Sequence, residues 1–363
     1  MSTLHMRRAA VLLAVMVAAL PHASPASTYH PPTIATFSVA AYNPATGEVG
    51  VAVQSRFFAV GSVVPWARSG VGAVASQAYG NPTYGPRILD LLSAGVTPAD
   101  AVRAALRDDK DAARRQIGAV SVRGEVETYT GDGCMAWAGG RTGTAPDGVV
   151  YAVQGNILAG EAVVKAMAAA MDDPAHLPEK QTANEQQALA ITDFAGRLLH
   201  ALLAGEAAGG DSRGMQSAAL LVCQAGMGYG GYNDVKYDLR VDDAVDPFDE
   251  LARLLNLARP FAMTNEAYLK LYSGDHDGAI TMFIALIELQ PDEASHHYNL
   301  ACALSLADKL DEALTELRVA LTRDEKLKPA ALEDPDLAAL RETDGFKELA
   351  KTIGSEPKGT ENP

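Results

Sequence analysis

Seven polar residues stand where strands begin, end or turn: Thr36, Ser55, Asn81, Asn156, Asp211, Arg213 and Ser217. A threonine that opens a strand can serve as a nucleophile when its own α-amine is free, because the hydroxyl attacks and the amine takes its proton. A free α-amine titrates near neutrality, which suits a base at working pH. Ser55 closes the partner strand, in reach of a hydrogen bond to Thr36. Asn156 follows Gly155 at a turn, where its amide or the local backbone N–H groups can stabilise an oxyanion. Asn81, in the Asn81-Pro82 turn, is a second candidate for that donor. Asp211, Arg213 and Ser217 crowd a glycine-rich turn before a strand and suit a polar substrate. The expected catalytic set is therefore Thr36, Ser55 and Asn156, with Asn81, Asp211, Arg213 and Ser217 on the substrate side. The chemistry is hydrolysis of an amide or peptide bond in a small molecule or peptide.

Each residue also has a plainer reading. Thr36 can be a β-former at a strand start, and Ser38, next on the same face, shares its claim as nucleophile. Asp211 and Arg213 can be an ion pair bracing the turn. Asn81 and Asn156 can be turn residues only, and Trp66 and Trp137 core. No CxxC, HExxH or clustered histidine pattern is present, nor a GxGxxG or Walker loop, so neither metal nor cofactor is expected. His296-His297 reads as the surface of a helix.

The nucleophile requires a particular N-terminus. Arg7 and Arg8 precede an uncharged apolar run from Ala9 to Leu20, followed by small residues. That is the pattern of a secretory leader over 1–26, too short to span a bilayer. Cleavage after Ala23 or Ala26 leaves Thr36 internal. Cleavage after Ala35 frees it, and Thr33-Ile34-Ala35 carries small residues at the required positions. The protein is expected to be exported, to the periplasm or beyond, with no stable membrane insertion once the leader is removed.

The elements that must position these residues follow from periodicity. Residues 36–42 and 48–55 alternate about Asn43-Pro44-Ala45-Thr46-Gly47 and read as a hairpin. Residues 70–77 are β-compatible, and 116–122 with 125–130 form a second hairpin. Strands are also expected over 149–154, 216–224 and 236–241, and helices over 85–94, 97–107, 161–171 and 185–203. Thr97-Pro98 supplies a cap and first turn. Strands in runs and helices in pairs favour a layered α+β domain over a doubly wound parallel sheet. A helix beginning at Asp246-Pro247 closes this domain near 258. Beyond it, the segments around Ala279 and Ala313 match at a 34-residue spacing, the period of a tetratricopeptide repeat, with a capping helix expected over 336–353. The two domains, 36–258 and 262–353, are expected to separate near 256–262, with a disordered tail at 354–363.

Composition narrows the partners. The chain carries a formal charge of −15, which argues against nucleic acid and anionic membrane surfaces. From Phe261 onward there are ten Lys plus Arg against twenty Asp plus Glu, so this region alone contributes −10. A protein partner for the repeat module is expected to be neutral or basic, and the same acidity reads equally as a solubilising face. Three cysteines, Cys134, Cys223 and Cys302, fit no disulfide framework. Cys134 and Cys223 can pair; Cys302 reads as a buried free thiol.

Several strings are distinctive: Thr36-Phe37-Ser38-Val39, residues 50–55 (GVAVQS), 60–68 (VGSVVPWAR), 70–77 (GVGAVASQ) and 81–86 (NPTYGP), with 151–157 (YAVQGNI) and 209–218 (GGDSRGMQSA). Together they resemble the bacterial family known as domain of unknown function 1028, over roughly residues 36–255. That family is grouped with the Ntn-hydrolase-like proteins. The resemblance implies a four-layer α/β/β/α sandwich of two stacked antiparallel sheets, here followed by an all-α repeat module. It implies no substrate. The competing expectation is a non-catalytic exported binding or scaffold protein on the same fold.

Overall fold

A computed structural model describes residues 36–175 and 180–353. The expected leader at 1–26, or to 35, and the tail at 354–363 lie outside the described residues. The described residues open with β1 (Thr36–Tyr42) and β2 (Val49–Ser55). Their turn is held by Asn43, whose Oδ1 accepts from the Ala45 N–H at 3.0 Å, and by Gly47 at φ 75°. A 3-10 turn at Val60–Ser62 leads to β3 (Pro65–Arg68) and β4 (Gly72–Ala78). Helices α1 (Tyr84–Ser93) and α2 (Pro98–Leu106) follow, the second capped by Thr97 Oγ1 accepting from the Asp100 N–H. Next come β5 (Arg115–Ser121), β6 (Val126–Thr130), β7 (Gly139–Thr144) and β8 (Val150–Asn156). Helices α3 (Glu161–Asp172), α4 (Ala183–Ala190) and α5 (Phe194–Ala207) precede β9 (Ser217–Cys223) and β10 (Val235–Val241). The remainder is helical: α6 (Pro247–Ser273), α7 (His276–Leu289), α8 (Ala294–Leu306), α9 (Leu310–Arg323), α10 (Lys328–Glu333), α11 (Ala338–Arg341) and α12 (Asp344–Ile353).

The strands form two antiparallel sheets, a six-stranded one in the order β10-β9-β2-β1-β8-β7 and a four-stranded one in the order β3-β4-β5-β6. Strand periodicity divides β1 between two environments. Phe37, Val39 and Ala41 point to a helical layer, in a core with Met167 of α3, Leu198 and Leu202 of α5 and Phe248 of α6. Ser38 and Ala40 point the other way, to the four-stranded sheet, where Ala40 shares a core with Ala73, Ala75 and Val120. The outer face of that second sheet places Val74, Ile117 and Ala119 against Ile88 and Leu92 of α1 and Ala101 and Val102 of α2. The protein is thus mixed α+β, with two antiparallel sheets facing each other and a C-terminal helical region. No helix among the described residues is long and apolar enough to cross a membrane.

Several elements differ from the reading of the sequence. β7, Gly-Gly-Arg-Thr-Gly-Thr, was not expected; a glycine-rich edge strand carries no apolar alternation. β3, only four residues long, was not expected either. The single helix expected over 185–203 is two, because Asp193 leaves the helix and caps α5, accepting from the Gly196 N–H at 2.7 Å. The terminal helix over 336–353 is broken into a 3-10 turn at Pro335–Leu337, then α11 and α12. His296 and His297 are buried, not surface; His296 Nε2 lies 2.9 Å from Gln290 Oε1 and His297 Nδ1 2.7 Å from Glu316 Oε2. Cys134 and Cys223 do not pair; their thiols donate instead to the carbonyls of Arg115 and Ala67. Cys302 is buried and free. Through 256–262, where the two domains are expected to separate, α6 runs continuously. Ala262 closes the first core and Ala267 opens the second.

In the helical region, Ala279, Phe283 and Leu286 of α7 and Ala313, Leu317 and Ala320 of α9 are all fully buried, each 34 residues from its counterpart. The spacing seen in the sequence is therefore a spacing of equivalent packing positions.

Phe37 anchors β1 to the helical layer, with its ring centroid 6.4 Å from that of Phe248. Phe37→Ala is expected to lower stability by about 3–5 kcal/mol, the cost of an aromatic-sized hole in a closed core. Urea denaturation measures it; a loss below about 1 kcal/mol would contradict this placement.

Candidate active site between the sheets

Strand register brings four of the seven sequence candidates into one row. Ser217 of β9 lies opposite Ser55 of β2, Ser55 opposite Thr36 of β1, and Thr36 opposite Asn156 of β8. Residues directly opposite in a sheet share a face, so the row looks toward the four-stranded sheet, and all four are buried. The Thr36 hydroxyl donates to Ser55 Oγ at 3.1 Å. The Asn156 amide donates to the Thr36 carbonyl at 3.5 Å and to Gln116 Oε1 at 3.0 Å, while Asn156 Oδ1 has no partner.

A second polar row faces the first from the other sheet, with Gln77 of β4 opposite Gln116 of β5 and Gln116 opposite Thr130 of β6. Gln116 joins the sheets. Its Oε1 accepts from Gln77 and Asn156, and its Nε2 donates to Thr130 Oγ1 and to the carbonyls of Gly139 and Gly155. Gln77 Oε1 accepts from Ser38 at 2.6 Å, and Gln77 Nε2 reaches the Thr36 carbonyl at 3.3 Å. One register step deeper, Gln154 donates to Ser38 Oγ at 2.6 Å. Gln154 fits there because Gly118 lies opposite; a Cβ on Gly118 would stand 2.1 Å from Gln154 Oε1. Among the described residues, these hydrogen bonds join hydroxyls, carboxamides and backbone carbonyls, with no carboxylate, imidazole or amine in them.

The other candidates serve the frame. Ser217 Oγ donates to the Phe57 carbonyl and accepts from the Val60 N–H, fixing the turn after β2. Asp211 is buried and accepts from the Arg56 N–H and from the Arg213 side chain, with Arg213 Nη2 at 3.0 Å. The pair thus braces the end of β2 next to Ser55. Asn81 is not in the row; its Oδ1 accepts from the backbone and hydroxyl of Thr83 at the start of α1. The left-handed backbone of Ala59, Ala78 and Ile157 is found past the end of β2, at the last residue of β4 and just past the end of β8, all at the end where Thr36 begins β1. Non-glycine residues adopt that conformation at a cost, and such positions concentrate at functional sites.

Reading the sequence alone missed Gln77, Gln116 and Gln154. The signal was a polar residue at an inward position of an apolar strand, as in Ala73-x-Ala75-x-Gln77. One arginine next to this end is also anchored. Arg115 Nε donates to Asp109 at 2.7 Å and its guanidinium reaches the Tyr79 carbonyl. Burial alone would push the Asp109 carboxyl up, but the Arg115 and Tyr84 hydrogen bonds outweigh it and hold it at about 2.

The family of unknown function DUF1028 matches residues 36–251. The chain belongs to that family. Among solved structures it is similar to the crystal structure of protein SPO2555 from Silicibacter pomeroyi, which carries the same family designation. The two share 28% identity at a TM-score of 0.50, over 62% of this chain and 89% of that one. No curated protein matches the chain. The DUF1028 match spans both polar rows and stops inside α6, so the helices beyond are an addition to the family region.

Two outcomes test this geometry. Gln116→Leu removes the partner of two buried amides, one buried carbonyl and two part-buried oxygens and is expected to cost about 3–5 kcal/mol in urea denaturation, at about 1–3 kcal/mol per stranded buried group with partial relaxation. A cost near that of an isosteric core change would contradict the network. Asp109 is a depressed carboxylate, so its contribution is complete above the unfolded value near 4 and is lost as pH falls toward about 2. Asp109→Asn is expected to flatten the stability profile between pH 4 and 2, measured by denaturation across that range.

Proposed function

We propose that this is an exported amide- or peptide-bond hydrolase of the Ntn type, with Thr36 as its nucleophile. The observation that carries the reading is the company Thr36 keeps. Its hydroxyl is set on Ser55 at the head of a central strand, in a set whose hydrogen bonds, among the described residues, join hydroxyls, carboxamides and backbone carbonyls. Asp211 is committed to Arg213 and to the Arg56 N–H. The base left to Thr36 is its own α-amine, once the bond between Ala35 and Thr36 has been cut.

In that mechanism the amine accepts the Thr36 hydroxyl proton as Oγ bonds to the substrate carbonyl carbon. The substrate C–N bond then breaks, and the leaving amine takes the proton from the α-ammonium. Water, deprotonated by the same amine, attacks the resulting ester, releasing a carboxylic acid and restoring the hydroxyl. Ser55 orients Thr36 Oγ. Asn156 and Gln77 hold the Thr36 carbonyl, and the unpartnered Asn156 Oδ1 is an acceptor for the freed ammonium. The Asn156 amide hydrogens are spent on the Thr36 carbonyl and on Gln116, so backbone N–H groups are the better oxyanion donors. Arrangement of two facing sheets between helical layers suits the Ntn-like grouping, and the 34-residue packing repeat suits tetratricopeptide units that recruit a protein partner.

A second reading is favoured by one observation. Thr36 is fully buried in the uncut chain, with hydroxyl and carbonyl both hydrogen-bonded, as in a structural polar core. On that reading the protein binds or scaffolds without catalysis. Intact mass of the exported protein separates the two. The hydrolase is expected to start at Thr36, to lose activity at least a hundredfold in Thr36→Ala and to retain part of it in Thr36→Ser, which keeps both hydroxyl and amine. A start at Ser24 or Ser27 in a preparation that turns over an amide substrate would eliminate the N-terminal mechanism.

A further inference from the structure

The C-terminal helical region contains a cleft of about 550 Å³ between the end of α6, α8 and the segment from α10 to the Pro335–Leu337 turn. Its walls are of two kinds. Tyr268 and Tyr272, one helical turn apart on α6, stack with centroids 5.9 Å apart and planes within 4°. Tyr298 and Cys302, one turn apart on α8, face Asp334 and Asp336. The Tyr298 hydroxyl donates to Asp334 Oδ2 at 2.9 Å, and the Cys302 thiol approaches the same oxygen at 3.8 Å. Asp334 Oδ1 accepts from the Asp336 N–H.

The acids here differ from those elsewhere on the surface, many of which are ion-paired. No Lys or Arg side chain forms a salt bridge with Asp334 or Asp336 among the described residues; Arg341, the neighbouring cation, donates to the Asp334 backbone carbonyl instead. Burial and then the charge of Asp334 push the Asp336 carboxyl up, and burial with both acids pushes the Cys302 thiol up. The cleft therefore concentrates negative potential in a half-buried setting whose carboxylates have no salt bridge among the described residues, beneath tyrosine faces that also attract cations.

We propose that this cleft binds the ammonium or guanidinium group of a lysine or arginine side chain on a partner polypeptide. The carboxylates supply the charge, the tyrosine rings pack against the side-chain stem and its cationic head, and the cleft is large enough for a side chain rather than a bare ion. Cys302, Asp334 and Asp336 present ligand atoms within 4.8 Å of one another, so a metal ion is the competing occupant. Two observations weigh against it. Burial and the two acids push the thiol away from the thiolate that a metal needs, and tyrosine faces are not metal ligands. The net charge of −10 over residues 261–363, from ten basic and twenty acidic side chains, would draw such a partner from a distance. None of this depends on a role for Thr36.

The test is calorimetric titration of the full chain with Nα-acetyl-lysine amide and Nα-acetyl-arginine amide, with Nα-acetyl-norleucine amide as the uncharged control. Saturable binding of at least one cationic probe is expected, with none by norleucine. Asp336→Asn is expected to weaken it at least tenfold and Tyr272→Ala about threefold, with circular dichroism unchanged. Tyr272 is mostly exposed, so its variant carries the test if Asp336→Asn fails to fold. Equal binding of the norleucine probe, no saturable binding of either cationic probe, or zinc chloride binding in place of both would overturn the proposal.

Discussion

The structure depends most on one buried carboxamide. Gln116 sits where the two sheets meet and accepts hydrogen bonds from Gln77 on its own sheet and Asn156 on the other. A sheet-to-sheet contact made of apolar side chains alone tolerates sliding, since dispersion is not directional. Buried amides do not tolerate it, because each displaced donor or acceptor loses its partner in a place water does not reach. The apolar inter-sheet core around Val51, Val53 and Val120 supplies the stabilisation, and the amide layer at one end sets the alignment. Thr36 is placed by that alignment from both sides. Phe37 is locked into the helical layer and the Thr36 carbonyl is held by Gln77 and Asn156.

The same end of the molecule carries its local irregularities. Left-handed backbone at Ala59, Ala78 and Ile157 turns three chains away from the strands that meet around Thr36. The Asp211–Arg213 pair and Ser217 then brace the turns those departures create. Four of the seven residues singled out by chemistry are therefore neighbours, and two more support them from one loop. Asn81 stands apart because its side chain is consumed by the turn into α1, the ordinary use of an Asn before Pro. The C-terminal helices add a second surface of different character, in which stacked tyrosines and unpaired acids replace the neutral amides of the strand region.

Much of this was legible in the amino-acid sequence, and the reason is range. The β1–β2 hairpin follows from alternation and from Asn43 and Gly47 in its turn, and it alone puts Ser55 opposite Thr36, 19 residues away. Caps at Thr97, and the 34-residue match of Ala279 with Ala313, are likewise local patterns, and the packing follows them. The family resemblance over the first part of the chain rests on strings of contiguous residues. Elements without such patterns were missed, β7 because glycines carry no periodicity and the break before α5 because a single aspartate outweighed a long apolar run.

Only the tertiary structure decided what those elements enclose. The partners of Gln77 are 39 and 41 residues away in Gln116 and Thr36, and Gln154 is bonded to Ser38 across 116 residues. A polar residue at an inward position looks the same in the sequence whether its partner is a neighbour, a ligand or water. His296 and His297 show the same limit, since their helix was evident and its burial by α9 was not. Side-chain chemistry and strand phase are properties of short segments, and the sequence determined both. Which polar groups meet, and which acids are left unpaired, is set by the stacking of sheets and helices distant along the chain, and that stacking exists only once the whole core has closed.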